Sequence, residues 1–193
     1  AVSMAAYNDR YGGCIHGDCR VMLAQGGSRR LAELRKGDIV IAGEGEGGAF
    51  ATAEVVCMVR SGCPGGRVQL TTLEGADDER RPLMLTPYHP VQVNGEWRFP
   101  ADLGMSEEVE CLAVFSFVLR GAPALLVEAV PCVALGHGLA EGAAAHPYFA
   151  SVRVLEDFEA MPGYSSGVVD LSPEDFVREP VSGTVCGIRR AEA

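Results

Sequence analysis

Gly12-Gly13-Cys14-Ile15-His16-Gly17-Asp18-Cys19-Arg20-Val21-Met22-Leu23 is the stretch that decides the fold of this chain. Two glycines run straight into a cysteine. A glycine at 13 leaves its carbonyl carbon open to attack and tolerates a strained peptide bond ahead of Cys14. Cys19–Leu23 reads as a short strand, ended by the turn Gln25-Gly26-Gly27-Ser28. Taken alone, the stretch reads better as a cysteine partly buried at the start of a strand. Chemistry at Cys14 therefore requires partners elsewhere in the chain.

Working outward, Arg30–Leu34 fits one helical turn with Leu31 and Leu34 on one face, and Gly37-Asp38 turns into a strand over Ile39–Ala42. Gly43–Gly48 is a glycine/glutamate loop. Ala51–Val59 and Val68–Leu73 read as strands, separated by a loop over Gly62–Gly66. Leu83–Leu85 and Val91–Val93 flank Thr86-Pro87-Tyr88-His89-Pro90, and Asn94-Gly95 is a hairpin turn leading to Trp97–Phe99. Glu110–Leu119 and Leu125–Leu135 look like two long strands. A turn followed by Val-rich strands occurs around Gly37–Val59 and again around Glu110–Val133, which suggests a duplicated β-unit. Sustained helical periodicity is absent, so an all-β architecture is expected. After Gly138 the character changes: His146–Glu159 mixes strand residues and acids, and Val181–Ile188 reads as a final hairpin around Ser182-Gly183. A boundary is placed near residue 139.

Composition narrows the function classes. With 48% hydrophobic residues in 193, a packed core is within reach and disorder is disfavoured. A net charge of −10 argues against nucleic acid or an anionic membrane as partner. No apolar run approaches the length of a membrane span. The chain opens on Ala1 with no signal-peptide pattern, as an excised fragment would. The seven cysteines are odd in number and show no C-x-x-C spacing, so neither a disulfide framework nor a zinc knuckle is indicated. Cys57 and Cys132 sit in apolar runs as buried small hydrophobes. A reducing, intracellular and cytoplasmic setting is the expectation.

Two further segments offer chemistry. Thr86 supplies a hydroxyl and His89 an imidazole, three residues apart in a bent segment from which both can point into one pocket. Val133-Ala134-Leu135-Gly136-His137-Gly138 is an apolar strand ending in a histidine between two glycines. A zinc grouping of Cys132, His137 and His146 has irregular spacings and no fourth ligand, so no metal and no cofactor is expected.

In this order, Cys14, the strand Cys19–Leu23, the turn Ser28–Leu34, Gly37-Asp38, the T-x-x-H of Thr86 and His89, and the strand pair Val114–Leu119 and Leu126–His137 resemble the hedgehog/intein (Hint) family. Gly13–Ala42 is especially similar to the start of a hedgehog autoprocessing domain. The ending at His146–Arg189 is similar to the Vint variety, found beside von Willebrand A modules. The resemblance implies a pseudo-two-fold horseshoe of β-strands with short helical turns. It implies an upstream flanking segment over residues 1–13, a Hint domain over 14–138 and a C-terminal extension over 139–193. It assigns Cys14, Thr86, His89 and His137 as catalytic residues and Gly13 as the scissile residue.

The implied activity is a single-turnover self-cleavage. Cys14 attacks the Gly13 carbonyl, Thr86 holds the scissile amide, His89 protonates the departing nitrogen, and a thioester results. The implied partners are the upstream segment of the same polypeptide, for example a von Willebrand A module, and an external nucleophile (water, a thiol or an amine). The chain departs from the splicing pattern. Inteins usually end in His-Asn before a Cys, Ser or Thr, and this chain reads His137-Gly138-Leu139, which leaves no amide to cyclise and no acyl acceptor. The aspartate often found in the intein Tyr-Asp strand motif is replaced by Ser116. Val56–Arg60, similar to the hedgehog segment that activates a sterol, carries no acid. The competing expectations are a degenerate Hint scaffold serving as an interaction module, and a thiol hydrolase acting in trans.

Overall fold

The computed structural model describes residues 13–44, 50–76 and 78–189. The expected lead-in before Gly13 and most of the Gly43–Gly48 loop lie outside them. The chain is mostly strand. In order these are β1 (Ile15–His16), β2 (Arg20–Met22), β3 (Ser28–Arg30), β4 (Ile39–Glu44), β5 (Phe50–Gly62), β6 (Arg67–Glu74), β7 (Pro82–Leu85) and β8 (Val91–Val93). They continue as β9 (Glu96–Arg98), β10 (Met105–Glu110), β11 (Ala113–Arg120), β12 (Ala124–Val127) and β13 (Val130–Val133). After the helix α1 (Val152–Glu159) come β14 (Val168–Leu171), β15 (Phe176–Arg178) and β16 (Val185–Ile188). The expected helical turn appears as a short 3-10 turn over Leu31–Glu33.

The larger sheet runs β10-β6-β7-β1-β11-β5-β14, with β4 also paired to β5. A second runs β3-β2-β12-β13-β8-β9, and β15 pairs with β16. The long β5 strand buries Ala53, Val55, Cys57, Val59 and Ser61 at alternate positions, and Met58 between them is buried as well, against the main core cluster. One core cluster lies between the sheets around Leu31, Val40, Leu85, Phe117 and Leu125.

Three sequence expectations need correction. Glu110–Leu119 is not one strand: β10 pairs with β6 and β11 with β5, so the chain breaks at Cys111-Leu112 to pass between them. Leu125–Leu135 folds back on itself as the β12/β13 hairpin. Its turn, Glu128-Ala129, has φ of 46° and 61° and none of the usual Asn-Gly signal. The Glu128 carboxylate holds the turn in place: it is buried, accepts the Arg20 N–H at 2.5 Å and meets Arg81 at 3.3 Å. Lastly, His146–Glu159 contains a helix. It buries Val154 and Phe158, four residues apart on one face, and eight residues are too few for the period to stand out among acids.

The C-terminal extension does not stand apart from the rest. β14 pairs in parallel with β5, from Val168↔Met58 to Leu171↔Ser61. A second core cluster joins Cys57, Val59 and Val118 to Tyr148, Phe158 and Val169 of the extension. No helix among the described residues is long and apolar enough to cross a membrane.

Candidate active site

The position of Cys14 follows from strand register. Ile15 on β1 faces Leu85 of β7 on one side and Phe115 of β11 on the other. One residue earlier, Cys14 comes opposite Thr86 and Ser116. The Cys14 N–H donates to Thr86 Oγ1 at 3.0 Å, the Thr86 hydroxyl donates to Cys14 O at 3.2 Å, and Thr86 N–H reaches the same carbonyl at 2.8 Å. A threonine directly after β7 therefore grips both ends of residue 14. The Cys14 residue is 1% exposed, with Sγ 3.9 Å from Ser61 Oγ, in a small cluster with Cys63, Val68, Leu70 and Val114.

Pro87 and Tyr88 bend the chain so that His89 N–H donates to Thr86 O at 3.2 Å, and the ring comes back over Gly13. His89 is 1% exposed and neither ring nitrogen makes a hydrogen bond. Burial pushes its pKa down to about 4; the carbonyls of Gly13 and Val133 face the ring and partly offset this, while nearby His137 adds to it. Gly13 is a glycine for a steric reason. A Cβ there would lie 2.8 Å from His89 Nδ1 and 3.2 Å from His89 Cα, too close for a side chain to fit unless the histidine moves.

His137 arrives by a different route. Leu135 N–H donates to Phe117 O at 2.9 Å, which ties the end of this segment to β11. Gly136 then takes φ of 68°, where a Cβ would stand 2.5 Å from Leu155 of α1. His137 Nδ1 accepts the Leu139 N–H at 3.0 Å. Gly13, His89 and His137 all line one cavity of about 50 Å³, together with Ser116, His146 and Phe149. All five residues singled out in the sequence thus fall in one region. Cys14 and Thr86 sit side by side at the ends of β1 and β7, and His89 and His137 sit on the cavity wall around Gly13.

The sequence offers His146 only as a zinc ligand. In the fold its Nδ1 accepts two backbone N–H groups, from Tyr148 at 3.1 Å and Phe149 at 3.0 Å. No pattern in the sequence links it to Gly13, because the link is made by packing of the extension. Cys132, its supposed zinc partner, is buried in the main core cluster. Among the described residues no group of three metal-ligating side chains comes together. Burial pushes the Cys19 and Cys63 thiols up to about 12 and Cys57 to about 11, and raises Cys132 strongly, so none of these is a ready thiolate.

A family model described as Vint, a Hint-domain, matches residues 13–187. The fold is similar to a DnaB intein from Synechocystis, at 16% identity and a TM-score of 0.50, over 64% of this chain and 99% of the intein. It is similar also to a mutant of the Ssp DnaB mini-intein, at 14% identity and a TM-score of 0.51, over 64% of this chain and 99% of that one. A bacterial intein-like domain from Clostridium thermocellum shares 15% identity, over 62% of this chain and 97% of its own, with a TM-score of 0.49. No curated protein matches the chain.

Proposed function

The chain belongs to the Vint family of Hint domains, whose chemistry is autoprocessing related to protein splicing, and from that premise we propose that it cleaves its own backbone at Gly13–Cys14 through a thioester and does not splice. The observation that carries this is the environment of that one peptide bond. Thr86 holds the nitrogen and the carbonyl of Cys14, while a buried imidazole approaches Gly13 so closely that any side chain there would have to displace it.

The chemistry follows from that environment. An amide resists a thiol because the amine is a poor leaving group. Here the Cys14 sulfur bonds to the Gly13 carbonyl carbon, the bond from that carbon to the Cys14 nitrogen breaks, and the thiol proton ends on the nitrogen. His89 carries it. A neutral imidazole can take the thiol proton, and burial makes the resulting imidazolium a strong acid toward the departing amine. The Thr86 hydroxyl, already bonded to the Cys14 N–H, steadies the nitrogen as it changes from planar to tetrahedral.

The end of the Hint segment supports cleavage without splicing. Gly138 has no side chain to cyclise, and its N–H is bonded to Ala150 O at 2.8 Å, so the chain continues directly into the packed extension. The upstream partner is the preceding polypeptide, for example a von Willebrand A module. The test is a fusion with one tag before residue 1 and another after residue 193, followed by intact mass. Expected are an upstream piece ending at Gly13 and a piece running from Cys14 through the downstream tag, released faster by thiol or hydroxylamine and abolished by Cys14→Ala. A product joining both tags would refute the absence of splicing. A wild-type protein inert to hydroxylamine would favour a degenerate interaction scaffold.

A further inference from the structure

The C-terminal extension supplies Ala143, Ala144, His146 and Phe149 to the lining of the cavity beside Gly13. The volume of the cavity is about 50 Å³. A single water needs roughly 10–15 Å³ of such space, so the cavity has room for a few waters. A wet chamber also needs polar groups, and it has them in Ser116 and three histidines.

The three histidines are not equivalent. His137 Nδ1 accepts one backbone N–H and His146 Nδ1 accepts two. A nitrogen that accepts such bonds carries no proton, so in each neutral ring the proton sits on Nε2. Both rings are thereby fixed as hydrogen-bond donors. Protonating either on Nδ1 would break the bonds that hold its loop. His89 has no hydrogen bond at either nitrogen, so it alone of the three can take up a proton without breaking one.

We propose that the thioester is resolved by water, oriented in this chamber by the fixed Nε2–H donors of His146 and His137. The inference rests on the thioester proposed above. Water oxygen bonds to the Gly13 carbonyl carbon, the bond from that carbon to the Cys14 sulfur breaks, and one water proton passes through His89 to the sulfur. The products are a Gly13 carboxylic acid and the free Cys14 thiol. The extension is then part of the site: without it the chamber lacks a wall and a donor.

The test uses the full chain with an upstream carrier. In water labelled with ¹⁸O, the wild-type carrier should be released as the free acid with one label at Gly13. His146→Asn retains an acceptor for the Tyr148 and Phe149 N–H groups but no longer reaches the chamber. It should slow release in buffer by about 10²-fold, the scale of one lost donor, while release by hydroxylamine persists. His146→Gln, whose amide nitrogen reaches as far as Nε2 but which gives up the acceptor at Nδ1, should recover part of the rate at some cost in melting temperature. A wild-type carrier released only on adding a thiol or amine would overturn the assignment of water and leave the thioester standing. A His146→Asn protein with unchanged melting and wild-type hydrolysis would overturn the role of His146. Absence of hydroxylamine release in the wild type would remove the thioester and this inference with it.

Discussion

Gly13→Ala isolates the close approach between His89 and the scissile residue. The added methyl carbon would start 2.8 Å from His89 Nδ1, 3.2 Å from His89 Cγ and 3.2 Å from His89 Cα. Ordinary van der Waals separation begins at 3.4 Å, so the ring must retreat by several tenths of an ångström. Rotating the ring does not suffice, because the methyl also presses on the histidine backbone. The cost in rate comes from the crowding of the added methyl against His89. Displacing a catalytic group by about 1 Å costs on the order of 10²-fold in rate. Cleavage in Gly13→Ala should therefore fall by about 10- to 100-fold, on the same principle. The bonds from Thr86 to Cys14 should persist, and folding should be little changed. The assay is carrier release against time at fixed hydroxylamine, with melting temperature as the control. A Gly13→Ala fusion that is released at the wild-type rate would refute the argument that His89 acts at this bond.

Three other outcomes are expected. His89→Ala should lose about 10²–10⁴-fold in cleavage rate and Thr86→Ala less, since His89 moves the proton whereas the Thr86 hydroxyl only steadies the nitrogen that receives it; equal losses in single-turnover kinetics would contradict this division. Stability should depend on pH through His89, whose pKa is about 4 folded against 6.5 free. The stability is fully present above the free value and is lost as pH falls toward the folded one, by about 3 kcal/mol in all, with half-buried His137 and His146 acting in the same direction. Denaturant melts across that window should show the slope, and His89→Gln should flatten it; an unchanged slope in that variant would disprove the contribution. Glu128→Ala strands the Arg20 N–H and removes one of the two carboxylates that Arg81 meets, the other being Glu79, and should cost about 1–3 kcal/mol by chemical denaturation, whereas a neutral result would mean that water or another group satisfies the turn.

The all-β class, most of the strands and the grouping of Cys14 with Thr86 and His89 were legible along the chain. The strands rest on local signals, glycine punctuation and β-branched runs, and the grouping of Cys14 with Thr86 and His89 rests on an order of motifs that resembles the Hint family. At Gly13 those signals speak only of backbone freedom, and the steric reason for a glycine required the position of the His89 ring. Other features depend on groups that local pattern cannot encode. The β12/β13 turn adopts positive φ at Glu128 and Ala129 because a carboxylate from the turn meets Arg20 and Arg81, distant along the chain. The break at Cys111-Leu112 arises because the flanking strands belong to different neighbours. His146 reaches the chamber beside Gly13 because β14 joins β5 and α1 packs into the same core, bringing together residues more than a hundred positions apart. A histidine's protonation state depends on the groups around it. In the sequence His89, His137 and His146 are alike, and only the backbone N–H groups at Nδ1 make two of them fixed donors and leave the third able to move a proton.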